Sequence, residues 1–259
     1  MPENQAGEAS GRTGTDRGFA ARRIMRAAAS ASLATAGEKG QPFVSLVTPA
    51  VAADGAVLLW ISTLSEHTRQ LSRNPRCGLL FQGVADGPNP QTAPRVSMTG
   101  MAERIEDGRL KARWLARHPY AAMYAGFADF SLWRIVPEGG LMVLGFGRAS
   151  RLRAEDLSPE PAMVTALEEV EAEALAMLNG MPERLAAAAR SLGGGEGTWR
   201  AASLSPDGFD LVDEEAERVL FLDLPGLVPD RNELLSALQH ALPRDDLSNG
   251  PVTSSNIEV

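Results

Sequence analysis

The stretch Leu58 to Phe81, LLWISTLSEHTRQLSRNPRCGLLF, limits the fold more than any other part of the chain. It reads as a strand, a turn crowded with hydroxyls, a short helix and a second strand. Ser62, Thr63 and Ser65 fall where the first strand ends, and His67, Thr68 and Arg69 follow in the first turn of the helix. The start of a helix exposes backbone N–H groups without intrahelical acceptors, together with the positive end of the helix dipole. Anions settle there. Hydroxyls, an imidazole and a guanidinium within the same few residues point to a phosphate. The competing reading is local: Ser62 or Ser65 caps a surface helix and Arg69 is a solvated charge.

The surrounding pattern is strand-rich. Ser32–Ala36, Pro42–Ala52, Ala56–Ser62, Cys77–Val84, Arg95–Ile105, Asp129–Pro137 and Leu141–Ala149 carry apolar, β-branched or alternating runs. Gly37–Gln41, Ala53-Asp54-Gly55 and Glu138-Gly139-Gly140 carry turn chemistry. Gly100 sits mid-strand, where a bulge or a close backbone approach is expected. Helical spacing covers Phe19–Ala29 and Asp107–Phe127, the second broken by Pro119. Consecutive antiparallel strands with short turns predict a closed or nearly closed barrel.

Beyond residue 150 the texture changes. Met163–Leu192 is rich in Ala, Glu and Leu and is interrupted at Asn179-Gly180 and Pro182. Three short strands follow around the Asp207-Gly208 turn, then a closing helix over Pro229–Ala241. The chain is therefore read as α+β: an antiparallel split β-barrel over 18–150, a linker over 151–161 and a small α+β domain over 162–243. Residues 1–17 are expected as a disordered tail and 244–259 as a flexible one.

Composition narrows the function. With a net charge of −8 and a pI near 5.0 the chain lacks the basic face that broad nucleic-acid binding requires, and a cytoplasmic location is expected. Cys77 is the single cysteine, so no intrachain disulfide forms; in its apolar run, CGLLF, it reads as a buried thiol. His67, His118 and His240 make no metal-binding spacing. Arg22-Arg23 ahead of an alanine-rich stretch looks like an export signal, but Arg26 and the following serines interrupt it, so a helix feeding the first strand is expected. No run of about 18 apolar residues occurs, so no membrane span is expected.

Three pieces in order, STLSEHTRQLSRNPR (Ser62–Arg76), PRVSMTGMAERI (Pro94–Ile105) and DFSLWRIVPEGGLMVLGFGRA (Asp129–Ala149), resemble the pyridoxamine-phosphate-oxidase-like FMN-binding split barrels. More narrowly they are similar to the haem-utilisation (HugZ-type) branch, which adds a small α+β domain; SLSPDGFDL (Ser203–Leu211) is the clearest match there. The resemblance implies a six-stranded barrel acting as a homodimer with its ligand between protomers. It implies an FMN phosphate against Ser62, Thr63, His67 and Thr68, with Arg69 adding charge. The flavin ring would lie along the second strand near Val44 and Ser45, and Arg95 would reach it from the other protomer. Haem in the same cleft is the alternative, with Gly145 and Gly147 admitting a flat ligand, Arg148 pairing a propionate or phosphate, and Asp129 at a position that orients a haem-ligating histidine in some members.

The chain departs from the branch at Met177-Leu178-Asn179-Gly180-Met181-Pro182, where the asparagine of a His-Met-Asn…His pattern is kept and the histidines are missing. No general acid or base is recognisable, nor are the basic residues with which true oxidases hold pyridoxamine phosphate. The leading expectation is an FMN-dependent oxidoreductase acting on a small substrate. A haem-binding or haem-degrading protein and a non-catalytic cofactor-binding module stay open beside it.

Overall fold

A computed structural model describes residues 6–215, 217–227 and 229–243. The chain opens with helix α1 (Ala6–Ala27), then runs β1 (Ala31–Ala36), β2 (Pro42–Val47), β3 (Ala50–Val51), β4 (Val57–Ser62), α2 (Glu66–Arg73), β5 (Arg76–Gln82) and β6 (Arg95–Ile105). Next come α3 (Gly108–Arg117), a 3-10 segment (Pro119–Tyr124), β7 (Phe130–Val143), β8 (Ala149–Arg153) and α4 (Ala154–Leu157). The second half holds α5 (Pro161–Asn179), α6 (Pro182–Ser191), β9 (Trp199–Ser205), β10 (Gly208–Asp213), β11 (Arg218–Asp223) and α7 (Arg231–Ala241).

The first eight strands form one antiparallel sheet in the order β2-β1-β5-β6-β7-β4-β3, with β8 added on β7. Its two ends, β2 and β3, are joined by only Thr48 and Pro49, so the chain itself carries the sheet from one edge round to the other. This is why Pro42–Ala52, expected as a single strand, is two. Pro49 has no N–H for a ladder, and the two carbonyls at the break are served by α3 instead. Trp114 Nε1 donates to Thr48 O at 3.1 Å and His118 Nε2 donates to Pro49 O at 3.0 Å.

The barrel interior is filled by alternating positions of these strands: Leu33, Leu59, Phe81, Val96, Met98 and Ile135 are all buried. Burying each such side chain stabilises the fold by about 1.5–3 kcal/mol. The outer face of β4 and β7 presents Leu58, Trp60 and Leu132 to Trp114 and the 3-10 segment. Pro119 separates that segment from α3, as the sequence predicts, and a register shift beside Gly100 marks the expected bulge.

Four expectations are corrected. Glu138-Gly139-Gly140 is not a turn; it lies inside the 14-residue strand β7. A Cβ at Gly140 would strike the Ser97 carbonyl of β6, so glycine is needed there for strands to meet and not for the chain to reverse. The reversal comes at Gly145–Arg148, where Gly145 and Gly147 have φ of 133° and 73°, so LGFGRA is the hairpin between β7 and β8 and not a strand end. The expected linker over 151–161 is mostly structured: Arg151–Arg153 complete β8, and α4 packs on α1 with Leu157 fully buried. Residues 6–17, expected as tail, begin α1; residues 1–5 and 244–259 lie outside the described residues.

The second domain packs α5, α6 and α7 against the meander β11-β10-β9 around Leu178, Leu185, Phe209 and Leu234. Its junction with the barrel is ionic. Asp207, in the β9–β10 turn and fully buried, accepts from Arg22 at 2.7 Å and from Arg26 at 3.0 Å. Arg26 also donates to the Val51 and Ala52 carbonyls. Burial would push the Asp207 carboxyl up, but Arg26 and Arg22 outweigh it and hold it below the usual carboxylate range. Nearby, Arg117 pairs with Asp210, which also accepts from Ser203 Oγ at 2.6 Å. The Ser203–Leu211 segment is thus the plug that the arginines of the barrel hold. No helix among the described residues is long and apolar enough to cross a membrane.

Candidate functional site

The hydroxyl-rich turn is built by Asp129. Its carboxylate accepts from Ser62 Oγ at 2.5 Å and its carbonyl accepts from Thr63 N at 2.8 Å. Ser62 Oγ in turn accepts from Leu64 N at 3.0 Å. The Ser62 hydroxyl is therefore committed to shaping the turn. Asp129, expected as an orienter of a histidine, orients Ser62.

Helix α2 begins without a cap. Ser65 occupies the cap position in extended conformation, yet its side chain makes no capping bond. The first intrahelical hydrogen bond is Arg69 N to Ser65 O at 3.2 Å, which leaves the amides of Glu66, His67 and Thr68 outside the helical ladder. The local capping reading therefore fails at Ser65, and the hydroxyls of Thr63 and Ser65 have no partner among the described residues.

Two polar atoms under this turn are orphaned. His67 Nε2 and Thr68 Oγ1 are buried with no hydrogen-bond partner among the described residues. His67 is held by its other nitrogen, Nδ1, 3.0 Å from Ser45 Oγ on β2. Burial lowers the His67 pKa, so the ring is neutral at pH 7. Arg69 reaches back to Glu66 at 3.3 Å with both side chains about half exposed; such a surface pair is worth about 0–1 kcal/mol and yields readily to a stronger anion.

The nine residues expected around a ligand fall into two groups. Val44, Ser45, Ser62, Thr63, His67, Thr68 and Arg69 lie along β2 and the β4–α2 connection, tied together by the Ser45–His67 bond. Arg95 and Arg148 form the other group: Arg95 pairs in register with Val143 at the end of β7, and Arg148 is in the hairpin that follows. The Arg95 guanidinium is turned onto the carbonyls of Gln91 and Ala93, at 2.9 and 3.1 Å. By register Arg95 stands on the third strand from β2, since Ser45 aligns with Leu33, Leu79 and Met98 in turn.

Beside the first group, β2 is an edge strand that leaves apolar side chains in solvent. Val44 is 63% and Leu46 74% exposed, with Leu64 of the turn at 73%. The resemblance already put a ligand along Val44 and Ser45; the exposure of Leu46 and Leu64 was not legible, because the alternation of this strand looks like that of any half-buried strand.

The other histidines are occupied differently. His118 is buried, bonded through Nε2 to Pro49 O and through Nδ1 to Tyr120 Oη, and burial together with Arg117 pushes its pKa down to about 4. His240 on α7 is exposed and donates from Nδ1 to Ser236 O at 2.7 Å. Cys77 is buried and its thiol is pushed up to about 12 by burial and by Glu138, so it stays protonated and unreactive.

Comparison with known proteins agrees with this architecture. The family profile described as pyridoxamine 5'-phosphate oxidase matches residues 20–144. The chloroplast haem oxygenase HOZ of Arabidopsis thaliana is 33% identical over 133 residues, covering 49% of this chain and 40% of that protein, so the match spans less than half of the plant relative. A protein of unknown function from Agrobacterium tumefaciens shares the fold over 93% of this chain and 97% of its own, at a TM-score of 0.72 and 23% identity. A haem-binding protein from Mycobacterium smegmatis is 26% identical, with a TM-score of 0.52 over 87% of this chain and 95% of its own. The profile places the barrel, residues 20–144, in the pyridoxamine 5'-phosphate oxidase-like split-barrel family, and the likeness in fold extends over the C-terminal α+β domain.

Proposed function

We propose that this chain binds FMN as a homodimer and serves as a redox flavoprotein for a small substrate. The observation that carries the reading is the uncapped start of α2, with the free hydroxyls of Thr63 and Ser65 and the orphaned His67 Nε2 and Thr68 Oγ1 around it. An unsatisfied buried donor costs the folded chain free energy, which a ligand oxygen would recover. These groups fit a phosphate. Backbone amides and hydroxyls hold it, Arg69 swings from Glu66 to meet its charge, and Asp129 keeps Ser62 and the turn in shape.

The bound flavin would supply hydride and single-electron chemistry. The protein's part is to anchor the phosphate, to lay the ring along Val44 and Ser45, and to exclude water from the cleft. The second protomer covers the exposed Val44 and Leu46 face, and its Arg95 and Arg148 reach the ligand from across the interface. An edge strand with an apolar face is otherwise a liability in water.

Haem in the same cleft is the second reading, favoured by the haem oxygenase and haem-binding relatives. The histidines fit an iron poorly. Both ring nitrogens of His118 are engaged, His67 Nε2 lies under the hydroxyl-rich turn assigned to the phosphate, and His240 stands on the last helix, away from that turn in the sequence.

Titration of the purified full chain with FMN and, separately, with hemin separates the two. Saturable quenching of flavin fluorescence at one FMN per protomer, weakened by Arg69→Glu, is the expected result. A Soret band on adding hemin with no flavin quenching overturns the first reading in favour of the second, and no response to either leaves a binding module for another ligand.

A further inference from the structure

The outer face of β4 and β7 carries a second concavity that the cofactor reading does not use. Its volume is about 390 Å³, within the range of small-molecule sites (about 300–1,000 Å³). One wall is aromatic: Trp60 and Phe130 stack with centroids 6.3 Å apart and planes 24° apart, and Tyr124 continues the row at 5.1 Å from Phe130. Lys111 of α3 reaches over this wall, its Nζ 4.2 Å from the Trp60 ring centroid. That ammonium donates once, to Ala125 O at 2.8 Å. With three donors it has two left.

A second donor lies close by. The indole Nε1–H of Trp60 is buried and has no acceptor among the described residues. Such a group is a standing call for an acceptor that water does not reach. Arg104 lines the same cavity and forms no ion pair among the described residues. Glu106 and Asp107 line it too, and Asp107 is already committed to Leu110 N at 2.9 Å as the cap of α3.

These groups define the ligand. Two cations and two carboxylates leave the lining without net formal charge, so a multiply charged phosphate meets as much repulsion as attraction. A flat ring suits the Trp60–Phe130 wall, and a single carboxylate suits the two spare donors of Lys111.

We propose that this cavity is a binding site for a planar aromatic monocarboxylate, its ring on Trp60 and Phe130 and its carboxylate on Lys111. The site adjoins the phosphate turn, because Phe130 is the register partner of Ser62. It shares no residue with the Ser62–Arg69 set and does not depend on the flavin reading.

The test is a benzoate titration of the 15N-labelled full chain, following the indole N–H signals of its four tryptophans, with Trp60 assigned through Trp60→Phe. The expected result is a saturable shift of the Trp60 signal while Trp114, Trp133 and Trp199 stay in place. Lys111→Gln should weaken the apparent affinity about tenfold, the loss of one charge-assisted contact. Cyclohexylacetate, which has the charge without the aromatic face, should bind more weakly than benzoate. Unchanged benzoate affinity in Lys111→Gln, a Trp60 signal that moves linearly without saturating, or equal shifts of all four indoles overturns the proposal. Should Lys111→Gln displace the other three indole signals in the free protein, Lys111→Met, which keeps an apolar stem over Trp60 and removes the charge, carries the same comparison.

Discussion

Ser45 on β2 and His67 on α2 share a 3.0 Å hydrogen bond that fixes the helix start against the edge strand. In the tautomer in which Ser45 donates to Nδ1, the ring proton sits on Nε2, the orphaned nitrogen. The ring is neutral because burial lowers its pKa, so it acts as a donor and not as a charge. His67→Gln, neutral and still a donor, should keep FMN affinity within about threefold, while His67→Ala should lose about tenfold, the worth of one hydrogen bond to a charged oxygen. Fluorescence titration at pH 7.5 checks both; equal losses in the two variants would remove the donor role.

Thr68→Val separates ligand binding from folding. The Thr68 hydroxyl is buried without a partner among the described residues, so an isosteric methyl should leave the apo melting temperature unchanged or raise it slightly. FMN affinity should fall by about fivefold or more if the hydroxyl turns to the phosphate. Calorimetry of the apo protein beside an FMN titration reads the two effects independently.

Asp207 is the keystone of the junction between the domains. Asp207→Ala strips the common partner from Arg22 and the buried Arg26. Breaking such a buried pair costs about 3–5 kcal/mol. Arg23→Ala, on the exposed pair with Asp223 at 3.2 Å, should change stability by less than about 1 kcal/mol. Urea unfolding of both variants provides the comparison.

Acid should unfold the protein in two stages. His118 has its folded pKa pushed from 6.5 down to about 4, so between those values the unfolded chain binds a proton that the folded chain refuses. Stability therefore falls as pH drops through that window, by about 3 kcal/mol, and His67 adds in the same direction. Asp207, whose folded pKa is depressed by its arginines, contributes stability that is lost only below the ordinary carboxylate range. His118→Gln should flatten the first stage and leave the second, as seen by unfolding free energies measured from pH 7 to pH 3.

Leu46 is 74% exposed on the edge strand. Leu46→Glu should leave the fold intact and shift the protein from dimer to monomer in light scattering at micromolar concentration, with FMN binding lost alongside. A wild-type monomer under the same conditions would remove the interprotomer cleft.

By itself the sequence determined the local elements: the strand–turn–helix of Ser62–Arg69, the break at Pro119, the helical zone cut at Asn179-Gly180 and Pro182, and the Asp207-Gly208 hairpin. Periodicity, proline and capping chemistry act over a few residues, so they can be read from a few residues. Tertiary structure decided what each group is used for. Glu138-Gly139-Gly140 has the composition of a turn, but Gly140 is needed because Ser97 of another strand passes over it. Ser62 looks like a phosphate ligand, but Asp129, 67 residues away, has taken its hydroxyl. Ser65 looks like a cap and is not one, and the cavity under Lys111 exists only because α3 folds onto Trp60. Whether a donor is spent or free depends on an acceptor brought from a distant part of the chain, and no local pattern carries that information.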